Sequence, residues 1–176
     1  MREYQYRKSH KLLRVMKMKH TLKFKQLIPA IALPLAVGAV AAFLTKDGMA
    51  MFAVIDKPPL SPPAWLFPVV WTVLYALMGI ASALVWSAGV SPVRRDRALT
   101  VYVLSLVANF VWPLIFFGME LYLIAFFWLL LLWILVAIAT LLFWYINKSA
   151  GKLMLPYLAW LSFAAYLNLG VWILNR

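Results

Sequence analysis

Five long stretches without a charged side chain constrain this chain more than any other feature. They cover residues 27–45, 65–87, 98–117, 121–145 and 153–174. Each is close to or above the roughly 20 residues that a helix needs to cross the hydrocarbon core of a bilayer. Because backbone polar groups in lipid must be satisfied within the protein, five helices packed as a bundle are the simplest arrangement. We therefore predict an all-α, polytopic membrane protein, with a transmembrane domain over residues 27–176 and a separate basic tail over residues 1–26.

Composition narrows the classes of function. Apolar residues make up 66% of the chain and charged residues only 12%, which is far from the range of soluble domains. The chain has no cysteine, so disulfides, thiolate metal sites and cysteine nucleophiles are excluded. The five spans contain no Asp, Glu, Lys, Arg or His, and acid–base catalysis or proton transport needs such groups. We expect no metal and no cofactor, and an apolar cavity with a few polar anchors remains as the candidate site.

The distribution of basic residues predicts the orientation. With five spans, the tail and the second and fourth connections carry fourteen of the 17 Lys and Arg residues, and the first and third connections and the C-terminus carry three. Cytoplasmic segments are the ones enriched in Lys and Arg. This places the N-terminus in the cytoplasm and the C-terminus outside. The basic residues behind the net charge of +12 then either set the topology or contact anionic lipid head groups. We expect no nucleic acid as a partner.

The first span also has features of a cleavable secretory signal. A basic segment and an apolar run precede Ala39-Val40-Ala41, which fits a cleavage site. The run is long for a signal core, and Gly38 and Ala42 have the spacing of small residues at a helix contact, so we favour a retained span. Met16 or Met18 would also serve as a start and give a shorter basic tail.

The first connection is rich in proline. Four of the chain's ten prolines lie within the seven residues 57–63. Since proline fixes φ and favours polyproline II, this loop should be stiff and extended. It is either a rigid connector that begins the second span or a preorganised lid over the outer mouth of the bundle. The residues of the predicted lid are Lys57, Pro58, Leu60, Pro62 and Pro63.

Asn109 in the third span is the main polar candidate within the membrane. Pro113, four residues later, has no N–H and so leaves the carbonyl of residue 109 without its usual helical partner. Phe116 shares this face at helical spacing. Polar groups in a membrane usually face the bundle interior. The amide is either a structural clasp on a neighbouring helix or the polar spot of a cavity.

Aromatic and polar side chains form similar faces on two other spans. Trp71 and Tyr75 align on the second span, and Tyr157, Trp160, Ala164 and Asn168 align on the fifth. Trp112 also lies deep in its span, where a buried indole N–H needs a hydrogen-bond acceptor. The fourth span is nearly all aliphatic and aromatic. We predict that the second, third and fifth helices share a polar, aromatic-lined centre and that the fourth faces lipid more, although core packing is the alternative role for any single aromatic.

Three segments together resemble the TspO/MBR family, also known as the tryptophan-rich sensory protein, translocator protein or peripheral-type benzodiazepine receptor family. They read KPPLSPPAWLFPVVWTVLYALMG (57–79), NFVWPLIFFG (109–118) and LPYLAWLSFAAYLN (155–168). The resemblance extends from about Phe52 to Asn175, and the joint order and spacing of the segments make it specific. Leu60 departs from the pattern, because the family usually has tryptophan there.

The resemblance implies five helices around a pocket open toward the first connection, often in a homodimer and, for this chain, in a bacterial cell membrane. The implied ligands are porphyrins such as protoporphyrin IX or other hydrophobic small molecules. The family's C-terminal pattern for sterol recognition needs a basic residue within five positions of its tyrosine. Tyr166 has no basic residue within five positions after it, so cholesterol is not predicted. Together with the faces described above, the resemblance gives these candidate ligand-binding residues: Phe52, Trp71, Tyr75, Asn109, Trp112, Pro113, Phe116, Trp160 and Ala164.

Three functions follow from these features. The first is a membrane receptor or carrier that binds porphyrin in the cavity. The second is an enzyme that degrades bound porphyrin with light or oxygen, in which Trp71 would take part. The third is a regulatory membrane partner without turnover, which would dock through its basic tail.

Overall fold

The structure is a computed structural model that describes residues 24–51 and 54–176. Within these ranges five helices are long and apolar enough to cross a membrane, and no strand occurs. They are α1 (Phe24–Leu44), α2 (Leu66–Trp86), α3 (Pro92–Pro113), α4 (Tyr122–Ile146) and α5 (Lys148–Leu174). A short helix, Lys46–Met51, follows α1, and a π-helical segment, Leu114–Gly118, extends α3. The all-α, five-helix prediction is confirmed, whereas most of the predicted basic tail lies outside the described residues.

Two helices begin earlier than the apolar runs predicted. α3 begins at Pro92 rather than near residue 98, with proline in its first turn, where the missing N–H costs nothing. α5 begins at Lys148 rather than near residue 153, because the Asn147 side chain accepts hydrogen bonds from the N–H groups of Ser149 and Ala150. Both first turns carry basic residues, so an apolar run cannot show where these helices begin.

The prediction that the fourth helix faces lipid more than the second, third and fifth holds against α2 and α3 but not against α5. α4 makes its main contacts with α5 and α3, and its Leu129, Leu132 and Val136 are fully buried. In the most apolar part of α4, 33% of residues are buried, against 44% in α2, 39% in α3 and 28% in α5. Because lipid is as apolar as leucine, helices in a membrane associate by shape, and the polarity of a face does not mark its buried side.

Two glycines bring α1 and α2 together. A Cβ on Gly79 of α2 would lie 2.5 Å from the Cα atom of Ile31 and 2.7 Å from the carbonyl oxygen of Ala30 on α1. A Cβ on Gly38 of α1 would lie 2.1 Å from the Tyr75 ring on α2. Small residues at such contacts let helix backbones approach closely in a membrane. The most exposed helix of the bundle is therefore fixed mainly by these two approaches to α2.

The first connection is fastened to the end of α5. Asn175 holds Asp56 by two hydrogen bonds, accepting from its N–H at 3.1 Å and donating to its carbonyl at 2.8 Å. The Tyr166 hydroxyl donates to the Pro59 carbonyl at 2.8 Å, and Pro58 is buried against Gly170. These contacts place the proline-rich loop across the C-terminal end of α5.

A tight turn in this loop departs from the usual residue preference. The N–H of Ser61 donates to the Pro58 carbonyl at 3.3 Å, which closes a four-residue turn with Pro59 second and Leu60 third. Leu60 has φ of 67°, as the third residue of a type II turn requires, where glycine is the preferred residue. The Ser61 hydroxyl donates to the same Pro58 carbonyl at 2.7 Å and strengthens the turn.

Candidate functional site

A cavity of about 440 Å³ lies in the half of the bundle next to the first connection. It is bounded by the C-terminal halves of α1 and α3, the N-terminal half of α2 and the middle of α5, and α4 contributes none of the described lining residues. Its volume falls in the usual range of small-molecule pockets, roughly 300–1,000 Å³. The lining residues that the sequence predicted are Trp71, Tyr75, Asn109, Trp112, Pro113, Trp160 and Ala164.

A hydrogen-bonded amide forms the polar spot in the wall. The Tyr75 hydroxyl donates to Oδ1 of Asn109 at 2.7 Å, and Nδ2 of Asn109 donates to the Tyr157 hydroxyl at 2.9 Å. Asn109 is only 3% exposed and Tyr157 is fully buried, so these bonds join α2, α3 and α5 inside the protein. Asn109 therefore combines the two predicted roles. It joins two neighbouring helices by hydrogen bonds, and it also lines the cavity.

Aromatic rings make up much of the remaining wall. Trp71 stacks on Tyr75 with ring centroids 5.4 Å apart and meets Tyr157 edge-on at 6.0 Å. Trp160 meets Phe67 edge-on at 6.0 Å. Such offset and edge-to-face arrangements are the favoured geometries of aromatic pairs. The cavity therefore offers flat, apolar surfaces whose positions are fixed by their neighbours.

Trp112 is held in the wall by a second polar network. Its indole N–H donates to Oδ1 of Asn168 at 3.1 Å, and Nδ2 of Asn168 donates to the Tyr122 carbonyl at 2.8 Å. Asn168 is 1% exposed and so acts from behind the wall. The alignment of Asn168 with Trp160 on the fifth span was visible in the sequence, but its partner on α3 was not.

Two predicted ligand residues are not among the described lining residues. Phe116 is 3% exposed and packs on Trp112 and Tyr122, with ring centroids 5.1 Å away in both cases. The π-helical turn that begins after Pro113 shifts the register of this face, which places Phe117 in the wall instead. Phe52 lies outside the described residues.

The predicted lid residues are also absent from the described lining. Lys57, Pro58, Leu60, Pro62 and Pro63 belong to the loop that is fastened to the end of α5, and among the described residues of this loop only Ala64 borders the cavity. The side chains that hold the loop, Tyr166 and Asn175, could not be paired with it from spacing alone.

The contribution of α1 was not predicted from the sequence. Five residues of α1 line the cavity, and so does Thr45, which directly follows the helix. The five residues of α1 are Leu35, Gly38, Ala39, Ala41 and Ala42. Most are small, and small residues in a span equally indicate helix packing. The spacing of Gly38 and Ala42 was the available signal, and it was interpreted only as a helix contact.

The lining limits the chemistry of the cavity. Its described polar side chains are one amide, hydroxyls and indole N–H groups, with no carboxylate, imidazole or ammonium group among them. Groups of this kind bind and orient a ligand through neutral hydrogen bonds and aromatic contacts. Across residues 24–51 and 54–176, no cluster of His, Asp or Glu is arranged to hold a metal ion.

A five-helix membrane bundle with an aromatic-lined cavity defines an integral membrane protein, and comparison with known proteins identifies its family. The model of the TspO/MBR family matches residues 30–173. The chain therefore belongs to the TspO/MBR family. Since the match begins inside α1, the first span is part of the family domain, which favours a retained helix over a cleaved signal.

Named relatives come from bacteria, archaea and animals. The chain is 38% identical to the tryptophan-rich protein TspO of Chlorobaculum tepidum, over 82% of this chain and 92% of the relative. It is 36% identical to the tryptophan-rich protein TspO of Archaeoglobus fulgidus, over 85% and 97%. It is 38% identical to the translocator protein of Homo sapiens, over 74% and 78%. These alignments cover most of both chains, so the similarity concerns the whole bundle.

Proposed function

We propose that this protein is a membrane receptor or carrier that binds porphyrins, such as protoporphyrin IX, and similar flat hydrophobic molecules in the cavity. The observation that carries the proposal is a set of fixed aromatic rings around one buried amide. A large flat apolar molecule gains most from stacking and edge contacts, which Trp71, Trp112 and Trp160 offer from three different helices. Asn109 and Tyr75 offer neutral hydrogen bonds to a polar group of the ligand.

Trp160 provides the test of this site. Replacing Trp160 with alanine is expected to weaken binding of protoporphyrin IX about tenfold, because an aromatic contact contributes roughly 0.5–1.5 kcal/mol beyond its buried area. The measurement is quenching of tryptophan fluorescence during titration of the purified protein. Trp133→Ala is the matched control, since Trp133 is half-buried like Trp160 but does not line the cavity. Equal affinity in the two variants would contradict the site.

A second candidate function is degradation of the bound porphyrin. Trp71 supports it, because this electron-rich ring lies in the wall in contact with Tyr75 and Tyr157. Product analysis after illumination of the complex in air separates the two functions. Recovery of intact porphyrin would rule out the enzyme and leave the receptor or carrier.

For the orientation, we propose a cytoplasmic N-terminus and an external C-terminus in a bacterial cell membrane, supported by fourteen basic residues on one side against three on the other. Because the chain has no cysteine, single cysteines report the side directly. A cysteine at Met119, which is 63% exposed in the third connection, should react with an impermeant maleimide on intact cells. A cysteine at the exposed Ser91 in the second connection should react only after permeabilisation. The opposite pattern would reverse the orientation.

A further inference from the structure

The cavity has exposed lining on one side of the bundle. Four of its lining residues are solvent-exposed positions on facing helices: Ala39 and Ala42 on α1, and Pro68 and Thr72 on α2. We refer to the space that these four residues border as the α1–α2 gap. The lining residues on α3 and α5, by contrast, are all buried or half-buried.

The α1–α2 gap lies at the depth of the acyl chains. Thr72 is six residues inside α2 and Ala39 is five residues before the end of α1, which at 1.5 Å per residue is roughly 9 Å and 8 Å along the helices. Both helices meet the length and hydropathy of membrane spans. Positions at this depth on the side of the bundle face lipid rather than water.

The packing of α1 explains the gap. Gly79 brings the two helices together in the half of the bundle away from the first connection, and Gly38 meets Tyr75 in the cavity wall. Beyond Gly38, α1 presents the alanines 39 and 42, which are too small to fill the space opposite Pro68 and Thr72. Past the end of α1, Gly48 returns to the bundle, where an added Cβ would lie 2.0 Å from the Phe117 carbonyl. Helix α1 and the short helix after it are thus close to the bundle on the two sides of the gap.

The chemistry of the gap suits lipid. Thr72 is the only polar side chain among its four residues, and its hydroxyl donates to the Pro68 carbonyl at 2.7 Å. The gap therefore presents no side-chain donor that needs water, as a surface in hydrocarbon requires. The remaining exposed lining residue, Ala64, belongs to the first connection, which Tyr166 and Asn175 fasten to α5.

We infer that the cavity is loaded sideways from the bilayer through the α1–α2 gap. Its ligands are then membrane-dissolved amphiphiles, with an apolar body that crosses the gap and a polar group that reaches Asn109 and Tyr75. The inference rests on the proposed function, that the cavity binds hydrophobic small molecules. It adds the source of the ligand, which is the acyl-chain region and not the water at the first connection.

Adjacent residues of α2 provide a matched test. Thr72→Cys places a thiol in the gap, and Val73→Cys places one on the same helix at a residue that is 53% exposed but does not line the cavity. Each variant is labelled with a bulky maleimide and reconstituted in phosphatidylcholine vesicles. Stopped-flow quenching of tryptophan fluorescence then gives the association and release rates of protoporphyrin IX.

Labelling of Thr72→Cys should slow both rates about tenfold relative to the same unlabelled variant, because an obstructed passage raises the barrier for entry and for exit alike. Labelling of Val73→Cys should change neither rate. Ala39→Cys and its neighbour Val40→Cys, which is 50% exposed and outside the lining, form the corresponding pair on α1.

Access from the water side predicts a different pattern. The double variant Tyr166→Phe and Asn175→Ala releases the first connection, and under the inference both rates stay unchanged. Faster association and release in this variant, with unchanged rates in labelled Thr72→Cys, would overturn the route but not the proposed function. Absence of saturable quenching by the unaltered protein would instead overturn the proposed function.

A measurement without ligand tests the gap itself. A nitroxide attached to Thr72→Cys should collide more with lipid-soluble oxygen than with a water-soluble nickel complex in power-saturation EPR. A preference for the nickel complex would place residue 72 in water and overturn loading from the bilayer.

Discussion

Replacement of Asn109 with leucine is expected to lower the free energy of unfolding by about 1–3 kcal/mol and to weaken binding of protoporphyrin IX. Leucine has nearly the shape of asparagine but none of its polar atoms. The hydroxyls of Tyr75 and Tyr157 would both lose their partner, and Tyr157 is fully buried. Stability is measured by equilibrium unfolding in mixed micelles of dodecylmaltoside and sodium dodecyl sulfate, followed by circular dichroism.

Two controls distinguish the loss of the hydrogen bonds among Tyr75, Asn109 and Tyr157 from the loss of any other buried polar group. Ser105 lies on the same helix and is also buried, but its hydroxyl bonds to the Tyr102 carbonyl of its own helix. Ser105→Ala should therefore cost much less. Adding Tyr75→Phe and Tyr157→Phe to Asn109→Leu removes the unpaired hydroxyls and should recover part of the lost stability. If the triple variant is less stable than Asn109→Leu alone, the unpaired hydroxyls are not the cause.

The five-helix fold could be predicted because one free-energy cost dominates it, that of leaving backbone N–H and C=O groups unpaired in hydrocarbon. An unpaired backbone group in hydrocarbon is so unfavourable that any long uncharged run must form a helix. The starts of α3 and α5 could not be predicted in this way, since their first turns are stabilised by Pro92 and by the Asn147 side chain, which are local features outside the apolar runs.

The polar and aromatic lining of the site could also be predicted, whereas the small residues that α1 contributes could not. A polar side chain such as Asn109 has few acceptable places in a membrane, so its position alone indicates the bundle interior. Gly38 and Ala39 on α1 give no such signal, because a small residue is compatible with lipid, with a helix contact or with a cavity wall. The burial of α4 relative to α5 was misjudged for the same reason, since buried leucines such as Leu129 and Leu132 are no more polar or apolar than leucines that face lipid.

Replacement of Gly79 with alanine is expected to lower the free energy of unfolding by about 1–3 kcal/mol, the usual cost of an overpacked contact. The added methyl group would meet the backbone of Ala30 and Ile31, which cannot rotate away as a side chain does. α1 would have to move as a whole, and it has few other contacts to hold it, with 11% of its span buried. Leucine at residue 79 should cost more than alanine, and the same micelle unfolding measures both.

Gly118 supplies the matched control, because a Cβ there meets nothing within 4 Å. Gly118→Ala removes the same backbone freedom from the unfolded chain as Gly79→Ala, so the difference between the two variants isolates the contact with α1. Gly118→Ala should be neutral or stabilising by up to about 1 kcal/mol. Equal losses at both positions would show that the close approach of α1 to α2 does not stabilise the bundle. A loss confined to Gly79 would confirm that the close approach of α1 and α2 at this glycine stabilises the helix that forms one side of the α1–α2 gap.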